Sequence, residues 1–279
     1  DELPVNERVS EIADILADFC YPDRETVLTP WRTINRQLAD TLGGYCFYDE
    51  TFKQRLNEPR FVYNGDVTER LFMNPKARIL DISSKTGLYS LYSAYSIYKL
   101  RSGQSQGLFD TLSDAEAEAL WKEIVENNIF ALCRTHIAES ITRRTLLGYR
   151  TGIRVNVKRI DELNSLVMVY KRKFIRTVTN GKDFWKVNNN EQMKFDAIIG
   201  NPPYQVNIGE QKDNYGIPLY NQFVEIAREM KPNYISMIMP SRWFTGGRGL
   251  DNFRRMMLAD RRMRSIYDYV DSKDLFPTV

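Results

Sequence analysis

The chain has 279 residues, of which 43% are hydrophobic and 27% charged, so it has the apolar content of a folded globular protein and not of a disordered one. No apolar run approaches the ~18 residues of a membrane span, and the first residues lack the basic and apolar regions of a signal peptide. Three cysteines without CxxC spacing and one histidine argue against a zinc site or a His-based triad. We therefore expect no metal and a cytoplasmic location.

The formal net charge of +3 hides an uneven distribution. Residues 1–133 carry 14 basic and 21 acidic side chains, whereas residues 134–279 carry 25 basic and 15 acidic ones. A basic half suits a surface that binds a polyanion, because phosphate contacts dominate affinity for nucleic acids. Solvated Lys and Arg on exposed faces explain the same count equally well.

The spacing of apolar residues predicts an alternation of helices and strands. Helices are predicted over 5–18, 31–42, 88–100, 114–127, 137–147, 219–230 and 249–259. Strands are predicted over 77–82, 128–133, 153–160, 195–200, 234–239 and 266–270. Segment 45–77 is predicted to be irregular, and 163–194 to be an insertion or a hairpin that turns at Asn180-Gly181.

This alternation predicts an α/β fold with a doubly wound, mostly parallel sheet. Such sheets bind ligands at the carboxyl ends of their strands, near the switch point of the topology. Two predicted strands end there in distinctive loops, DISSKTG after residue 80 and NPPY from Asn201 to Tyr204.

The tetrapeptide Asn201-Pro202-Pro203-Tyr204 carries the clearest chemical signal. Two successive prolines hold the backbone extended and contribute no N–H, so this stretch offers carbonyl acceptors beside the Asn201 amide oxygen. Such a cluster suits an amino group with protons to donate, and the Tyr204 ring could stack on a planar base. A surface turn is the alternative, although a buried strand directly before the tetrapeptide argues against it.

FDAIIGNPPY resembles motif IV of amino-methyltransferases that use S-adenosylmethionine (SAM), above all the N6-adenine DNA methyltransferases. The other motifs follow in the order of their gamma group, and the whole is most similar to the methylase part of Eco57I-type restriction-modification proteins. The matching segments are Val27-Leu28-Thr29-Pro30 for motif X, Asp81 to Gly87 for motif I, Ile160 to Leu163 for motif III, 219–244 for motifs V and VI, and Asp274-Leu275-Phe276-Pro277 for motif VIII.

The resemblance implies a Rossmann-like class I methyltransferase sheet with an N-terminal helical extension, SAM as cofactor and double-stranded DNA as partner. Its catalytic residues would be Asn201, Pro202, Pro203 and Tyr204. Its cofactor contacts would be Thr29, Pro30, Asp81, Ser83, Lys85, Gly87 and Asp161. Tyr204 and Phe276 would stack on an adenine flipped out of the duplex.

Two positions depart from the family pattern. Lys85 replaces the first glycine of motif I, where it would either clash with SAM or reach its carboxylate. The acid that normally holds the ribose hydroxyls after the second strand is missing, because Cys133-Arg134-Thr135-His136 stands there and Glu139 lies a turn too far along.

Two further clusters admit two interpretations each. Tyr89, Tyr92, Tyr95 and Tyr98 repeat every three residues, which favours packing of a helix over a base-stacking platform. Arg254, Arg255, Arg261 and Arg262 could hold DNA phosphates or solvate a helix face.

We expect two regions, 1–44 with motif X and a catalytic domain over 45–279 that is truncated at its carboxyl end. The target-recognition region, and any nuclease or helicase part, would belong to the rest of a parent polypeptide. Two other functions stay open: an NPPY methyltransferase that acts on protein glutamine or on RNA, and a degenerate, non-catalytic module that binds DNA or serves assembly.

Overall fold

The computed structural model describes residues 2–17, 19, 28–104, 112–187, 192–206 and 216–277. Its main helices are α1 (Val5–Ala17), α2 (Trp31–Thr41), α3 (Leu88–Gln104), α4 (Asp114–Asn127), α5 (His136–Leu147), α6 (Leu163–Val169), α7 (Lys171–Val178), α8 (Tyr220–Glu229) and α9 (Asp251–Ala259). Its strands are β1 (Gly44–Tyr48), β2 (Arg55–Val62), β3 (Ile79–Ser84), β4 (Ile129–Cys133), β5 (Asn156–Arg159), β6 (Ala197–Gly200), β7 (Gln205–Val206), β8 (Ile217–Pro218) and β9 (Tyr234–Met237).

A parallel five-stranded sheet forms the centre, with strand order β5-β4-β3-β6-β9. The chain runs outward from β3 through β4 to β5, then returns to the other side of β3 and continues through β6 to β9. This reversal places the switch point between β3 and β6, as in Rossmann-like folds. The predicted α/β fold and parallel sheet are confirmed.

Successive strand residues face opposite sides of the sheet, so each strand contributes to two cores. Ile79, Ala131 and Ile199 pack on one face in the same cluster as α1 to α4. Leu80, Leu132 and Ile198 pack on the other face with residues of α6, α7 and α8. The near-continuous apolar sequence of these strands follows from burial on both faces.

The N-terminal helices belong to the first of these cores. Val5, Val9 and Ala13 of α1 are spaced by four residues and are fully buried. Trp31, Ile34 and Leu38 form the matching stripe of α2. Helix α2 also contacts β9, which brings it to the side of the sheet where β6 ends.

Segment 45–77, predicted to be irregular, instead contains the antiparallel pair β1 and β2. The prediction was wrong because Pro59 weakens the strand pattern. A proline is tolerated there because β2 pairs on one side only, and the register shifts between Cys46 and Tyr48, opposite this part of β2.

Segment 163–194 contains helices α6 and α7, and the hairpin alternative is wrong. Phe174 and Val178 of α7 are four residues apart and both buried, which is a helical period. Asn180 begins a π-helical turn over Gly181–Trp185, since its side chain accepts a hydrogen bond from the Asp183 N–H.

Residues 266–270 do not form the sixth strand that their alternation predicted. Ile266 and Tyr267 are about half exposed, and the Tyr269 ring lies under the Arg36 guanidinium of α2, 4.7 Å away. A segment of alternating apolar and polar residues forms a strand only when another strand lies beside it and shares backbone hydrogen bonds. In the part of the chain that the structure describes, no helix is both long and apolar enough to cross a membrane.

Candidate functional site

The carboxyl ends of the five parallel strands share one edge of the sheet. At the switch point, β3 ends at Ser84 and β6 ends at Gly200, directly before Asn201. Helix α2 approaches the same edge with Thr29 and Pro30 at its start. This edge therefore brings together three of the segments that the sequence singled out.

Asp81 is a buried carboxyl within β3. It pairs in register with Ala131 of β4 and Ile199 of β6, and it is 1% exposed. Its Oδ1 atom accepts a long hydrogen bond of 3.4 Å from the Ser83 N–H, and Oδ2 has no partner among the described residues. Burial raises the pKa of Asp81 to about 7, although Ser84, Ser83 and the charge of Lys85 each act to lower it.

Gly200 keeps space open beside this carboxyl. Its φ of 144° favours glycine, and a Cβ atom at this position would lie 3.3 Å from Asp81 Oδ1. A buried carboxylate oxygen without a partner next to a bare backbone can receive a hydroxyl or amino group from a ligand.

The loop after β3 is fastened to α5. Ser84 Oγ lies 3.1 Å from Thr142 Oγ1, and Thr145 donates a 2.6 Å hydrogen bond to the Thr86 carbonyl. Gly87 has φ +80°, and a Cβ there would meet the Thr142 backbone at 3.1 Å. The structure thus gives Gly87 a packing role, while Ser83 is buried beside Asp81.

Lys85 directly follows β3 and is half-buried. Desolvation and the nearby Arg134 guanidinium lower the pKa of Lys85 to about 8, while Asp81 acts in the opposite direction. An ammonium group held in this setting would gain from an incoming anion.

Asn201 is 3% exposed, and its carboxamide is oriented by its neighbours. Nδ2 donates to Thr29 Oγ1 at 3.0 Å, and a hydrogen bond from Asn201 also acts on the Tyr204 phenol. Oδ1 is buried and has no partner among the described residues. The arrangement leaves one strong acceptor available at the switch point.

The rest of the tetrapeptide surrounds this acceptor. Pro202 is buried. Pro203 and Tyr204 are half-buried, and burial raises the pKa of Tyr204 to about 12, so its phenol stays neutral.

Thr29 and Pro30 hold the end of motif X against Asn201. Pro30 occupies the position before the first residue of α2, where its missing N–H costs nothing. Thr29 is 8% exposed and contacts Asn201 and Tyr89. Val27 of the same motif lies outside the described residues.

The carboxyl end of β4 supplies no free acid. Thr135 begins α5 by accepting a hydrogen bond from the Ala138 N–H, and Glu139 pairs with Arg143 at 3.1 Å. Cys133 is buried, which raises the pKa of its thiol to about 12. Asp161 follows edge strand β5, mostly exposed and paired with Arg159 at 2.7 Å, so β4 separates it from Asp81.

Phe276 is 7% exposed on a turn that is bound to α2. Thr33 donates to the Leu275 carbonyl at 2.5 Å, and Arg32 donates to the Asp274 carbonyl at 2.6 Å. The turn therefore lies against the helix that begins at Thr29 and Pro30.

The four arginines of the predicted phosphate site differ in their surroundings. Arg262 and Arg228 both contact Asp260 at 2.8 Å, which holds the pKa of Asp260 far below its usual range. Arg254 donates to the Phe244 carbonyl, Arg255 contacts Asn252, and Arg261 is exposed.

The sequence analysis did not assign Tyr89 or Gln37 to this site. Tyr89 was interpreted as one rung of a packing ladder, and all four tyrosines are indeed buried. Its hydroxyl also donates to Gln37 Oε1 at 2.6 Å. No local pattern signals this contact, because it joins α3 to α2.

Comparison with known proteins agrees with this geometry. Residues 127–276 match the model of the Eco57I restriction-modification methylase family. An "Uncharacterized adenine-specific methylase" of Mycoplasma pneumoniae (strain ATCC 29342 / M129 / Subtype 1) is 26% identical over 298 residues, covering 86% of this chain and 66% of the relative. The chain thus spans just under two thirds of that relative's length. Because the family model covers more than half of the sequence, the chain belongs to the Eco57I restriction-modification methylase family.

Proposed function

We propose that the chain is the catalytic part of a site-specific DNA adenine-N6 methyltransferase that uses SAM, within a restriction-modification protein. One observation carries the proposal: the buried, unpartnered Asn201 Oδ1 lies at the switch point, where the neighbouring strand carries the unpartnered Asp81 Oδ2. Membership of the family and the adenine-specific relative support it.

The adenine amino group is a weak nucleophile because its lone pair is delocalised into the ring. Asn201 Oδ1 and the Pro202 carbonyl would accept its two N–H bonds and draw electron density onto the nitrogen. This is positioning and electrostatic preorganisation by groups already fixed in place. The flipped base would stack on Tyr204, which is worth roughly 1–3 kcal/mol, and we keep Phe276 as a second candidate for that contact.

The cofactor would lie beside β3. When bound, SAM supplies a methyl group carried on a positively charged sulfur. Asp81 Oδ2 would accept a hydrogen bond from it, Gly200 leaves room for its approach, and Lys85 would bind its carboxylate. Ser83, Gly87, Pro30 and Asp161 remain proposed contacts of SAM.

Titration of the chain with SAM by calorimetry tests the cofactor site. We expect affinity to peak between pH 7 and 8, because Asp81 ionises through about 7 and Lys85 loses its proton through about 8. Asp81→Ala should weaken binding at every pH, and Lys85→Gly should remove the decline above pH 8. A flat pH profile in the wild type would contradict these two roles.

Transfer itself is tested with methyl-labelled SAM and duplex DNA, beside Asn201→Ala, for the chain and for a longer parent protein. We expect N6-methyladenine in DNA from the wild type only. Label found in protein or RNA but not in DNA would replace this proposal with the corresponding NPPY methyltransferase.

A further inference from the structure

We propose that a directional chain of hydrogen bonds through α2 decides which end of the Asn201 carboxamide faces the substrate, so that Thr29 and Tyr89 are positioning residues. The inference rests on the proposed function, because it concerns the acceptor offered to the adenine amino group. It also gives Thr29 a different role from the cofactor contact that its motif implies.

The orientation of this amide matters because its two ends have opposite polarity. The oxygen accepts hydrogen bonds, whereas the NH₂ group only donates them. If the carboxamide turned over, Nδ2 would meet the N–H bonds of the substrate, and activation of the amino group would be lost.

The chain of bonds ends at a group whose polarity is fixed. The Gln37 backbone carbonyl only accepts, so Thr41 Oγ1 donates to it, at 2.6 Å. With its one proton used, Thr41 must accept from Ser236 Oγ, 2.9 Å away. Ser236 has then used its proton too, and it must accept from the Gln37 side chain at 3.0 Å, which requires Nε2 at that end.

The sequence of donors and acceptors continues from Gln37 to Asn201. With Nε2 towards Ser236, Gln37 turns Oε1 towards Tyr89 and accepts its hydroxyl proton at 2.6 Å. Tyr89 has then used its own proton, so Thr29, whose side chain acts to lower the pKa of this strongly desolvated phenol, would be the donor between the two hydroxyls. Thr29 in turn accepts from Asn201 Nδ2 at 3.0 Å, and this leaves Oδ1 towards the site.

Burial makes the chain of bonds effective. Asn201, Thr29, Tyr89 and Ser236 are between 3% and 8% exposed, so water does not readily replace a lost partner. The bonds join α2, α3, β6 and β9, so the orientation of one amide depends on how these elements pack together.

Removal of the Tyr89 hydroxyl is the first test. Tyr89→Phe frees the Thr29 proton to donate to Asn201 Oδ1 instead, which favours the turned-over amide. Tyr92→Phe is the matched control, since Tyr92 is buried in the same helix and its hydroxyl donates to the Gly43 carbonyl at 2.8 Å. In ¹⁵N NMR spectra of the intact chain, Tyr89→Phe should shift the Asn201 side-chain amide signals, and Tyr92→Phe should leave them in place.

Substitution of Thr29 separates positioning from cofactor binding. Thr29→Val keeps the shape and removes the acceptor, whereas Thr29→Ser keeps the hydroxyl. We expect Thr29→Val to lower kcat by about 10²-fold, as misplacement of a reacting group can. Its Kd for SAM should stay within about 3-fold of the wild type, and Thr29→Ser should restore kcat, because neither change removes the pocket.

Two results would overturn the proposal: unchanged Asn201 amide signals in Tyr89→Phe and Thr29→Val, or a SAM Kd that weakens in Thr29→Val as much as kcat falls. The second result would return Thr29 to the cofactor contacts. The NMR test does not need turnover, so a chain that shows the amide shift but methylates no DNA would refute the proposed function and keep the hydrogen-bond chain.

Discussion

At the scale of single residues, the site holds a carboxyl, Asp81, whose proposed function in SAM binding opposes the stability of the folded chain. Burial raises the pKa of Asp81 from 3.8 to about 7, so between these pH values the folded chain keeps a proton that the unfolded chain has released. Its contribution to stability therefore falls as pH rises from about 4 to 7. We expect Asp81→Asn to raise the free energy of unfolding at pH 8 by up to about 4 kcal/mol, measured by urea denaturation, and to weaken SAM binding.

Asp260 provides a control of opposite sign. Its pKa is lowered, chiefly by Arg262, so its ionised form stabilises the folded chain at neutral pH and that stabilisation is lost in acid. Asp260→Asn should lower stability at pH 8 while leaving SAM affinity unchanged.

Equal stability of Asp81→Asn and the wild type at pH 8 would show that the Asp81 carboxyl is not desolvated.

Some residues of this site could be predicted from the sequence, whereas others became apparent only from contacts in the structure. Asn201 could be identified because it directly follows a buried apolar strand, and Asp81 because it is a carboxyl within a short apolar run, although β3 continues past it to Ser84. The roles that we propose for Thr29, Tyr89 and Gln37 could not, because they depend on hydrogen bonds between elements distant in sequence. Phe276 and Asp161 matched family motifs. The sequence does not show that Phe276 is buried or that Asp161 pairs with Arg159, because both properties depend on packing.

At the scale of secondary-structure elements, strong local signals were reliable. The helix predicted over 114–127 is observed as Asp114–Asn127, and it begins after Ser113 with both hydrogen bonds of a capping box. The strand β2 was missed because Pro59 weakens its pattern, although β1 pairs with it. Residues 266–270 were overpredicted because a strand requires a partner, and a local pattern does not show whether one is present.

Gly87 connects β3 to α3 and allows α5 to approach. Its φ is +80°, and an added Cβ would lie 3.1 Å from Thr142 Cα. We expect Gly87→Ala to cost about 1–3 kcal/mol from the backbone strain alone, and more from the contact, in urea denaturation. Gly152→Ala is the matched control, because Gly152 has φ +74° and open space around it. If both variants lose the same stability, the contact with α5 contributes nothing.

At the scale of the whole molecule, topology follows from the order of apolar segments more readily than surface function does. Strands alternating with long helices predicted the parallel sheet, because parallel neighbours need crossover connections. The strand order, and with it the position of the switch point, is known only from the structure. The charge difference between the halves is also plain in the sequence. Which basic side chains remain available to a partner depends on the acids packed beside them, and the sequence order does not give this.

The salt dependence of DNA binding tests which arginines contact the phosphates. Arg262 shares Asp260 with Arg228, whereas Arg255 and Arg261 are exposed without an acidic partner among the described residues. We expect Arg255→Ala and Arg261→Ala each to reduce the slope of log affinity against log salt for a short DNA duplex by about 0.9, and Arg262→Ala by less. Fluorescence anisotropy measures these slopes, with Lys53→Ala, in the acidic half, as control. Each phosphate that a basic side chain neutralises releases counterions and adds to the slope. An unchanged slope in the double variant Arg255→Ala/Arg261→Ala would therefore exclude these two arginines from the phosphate site.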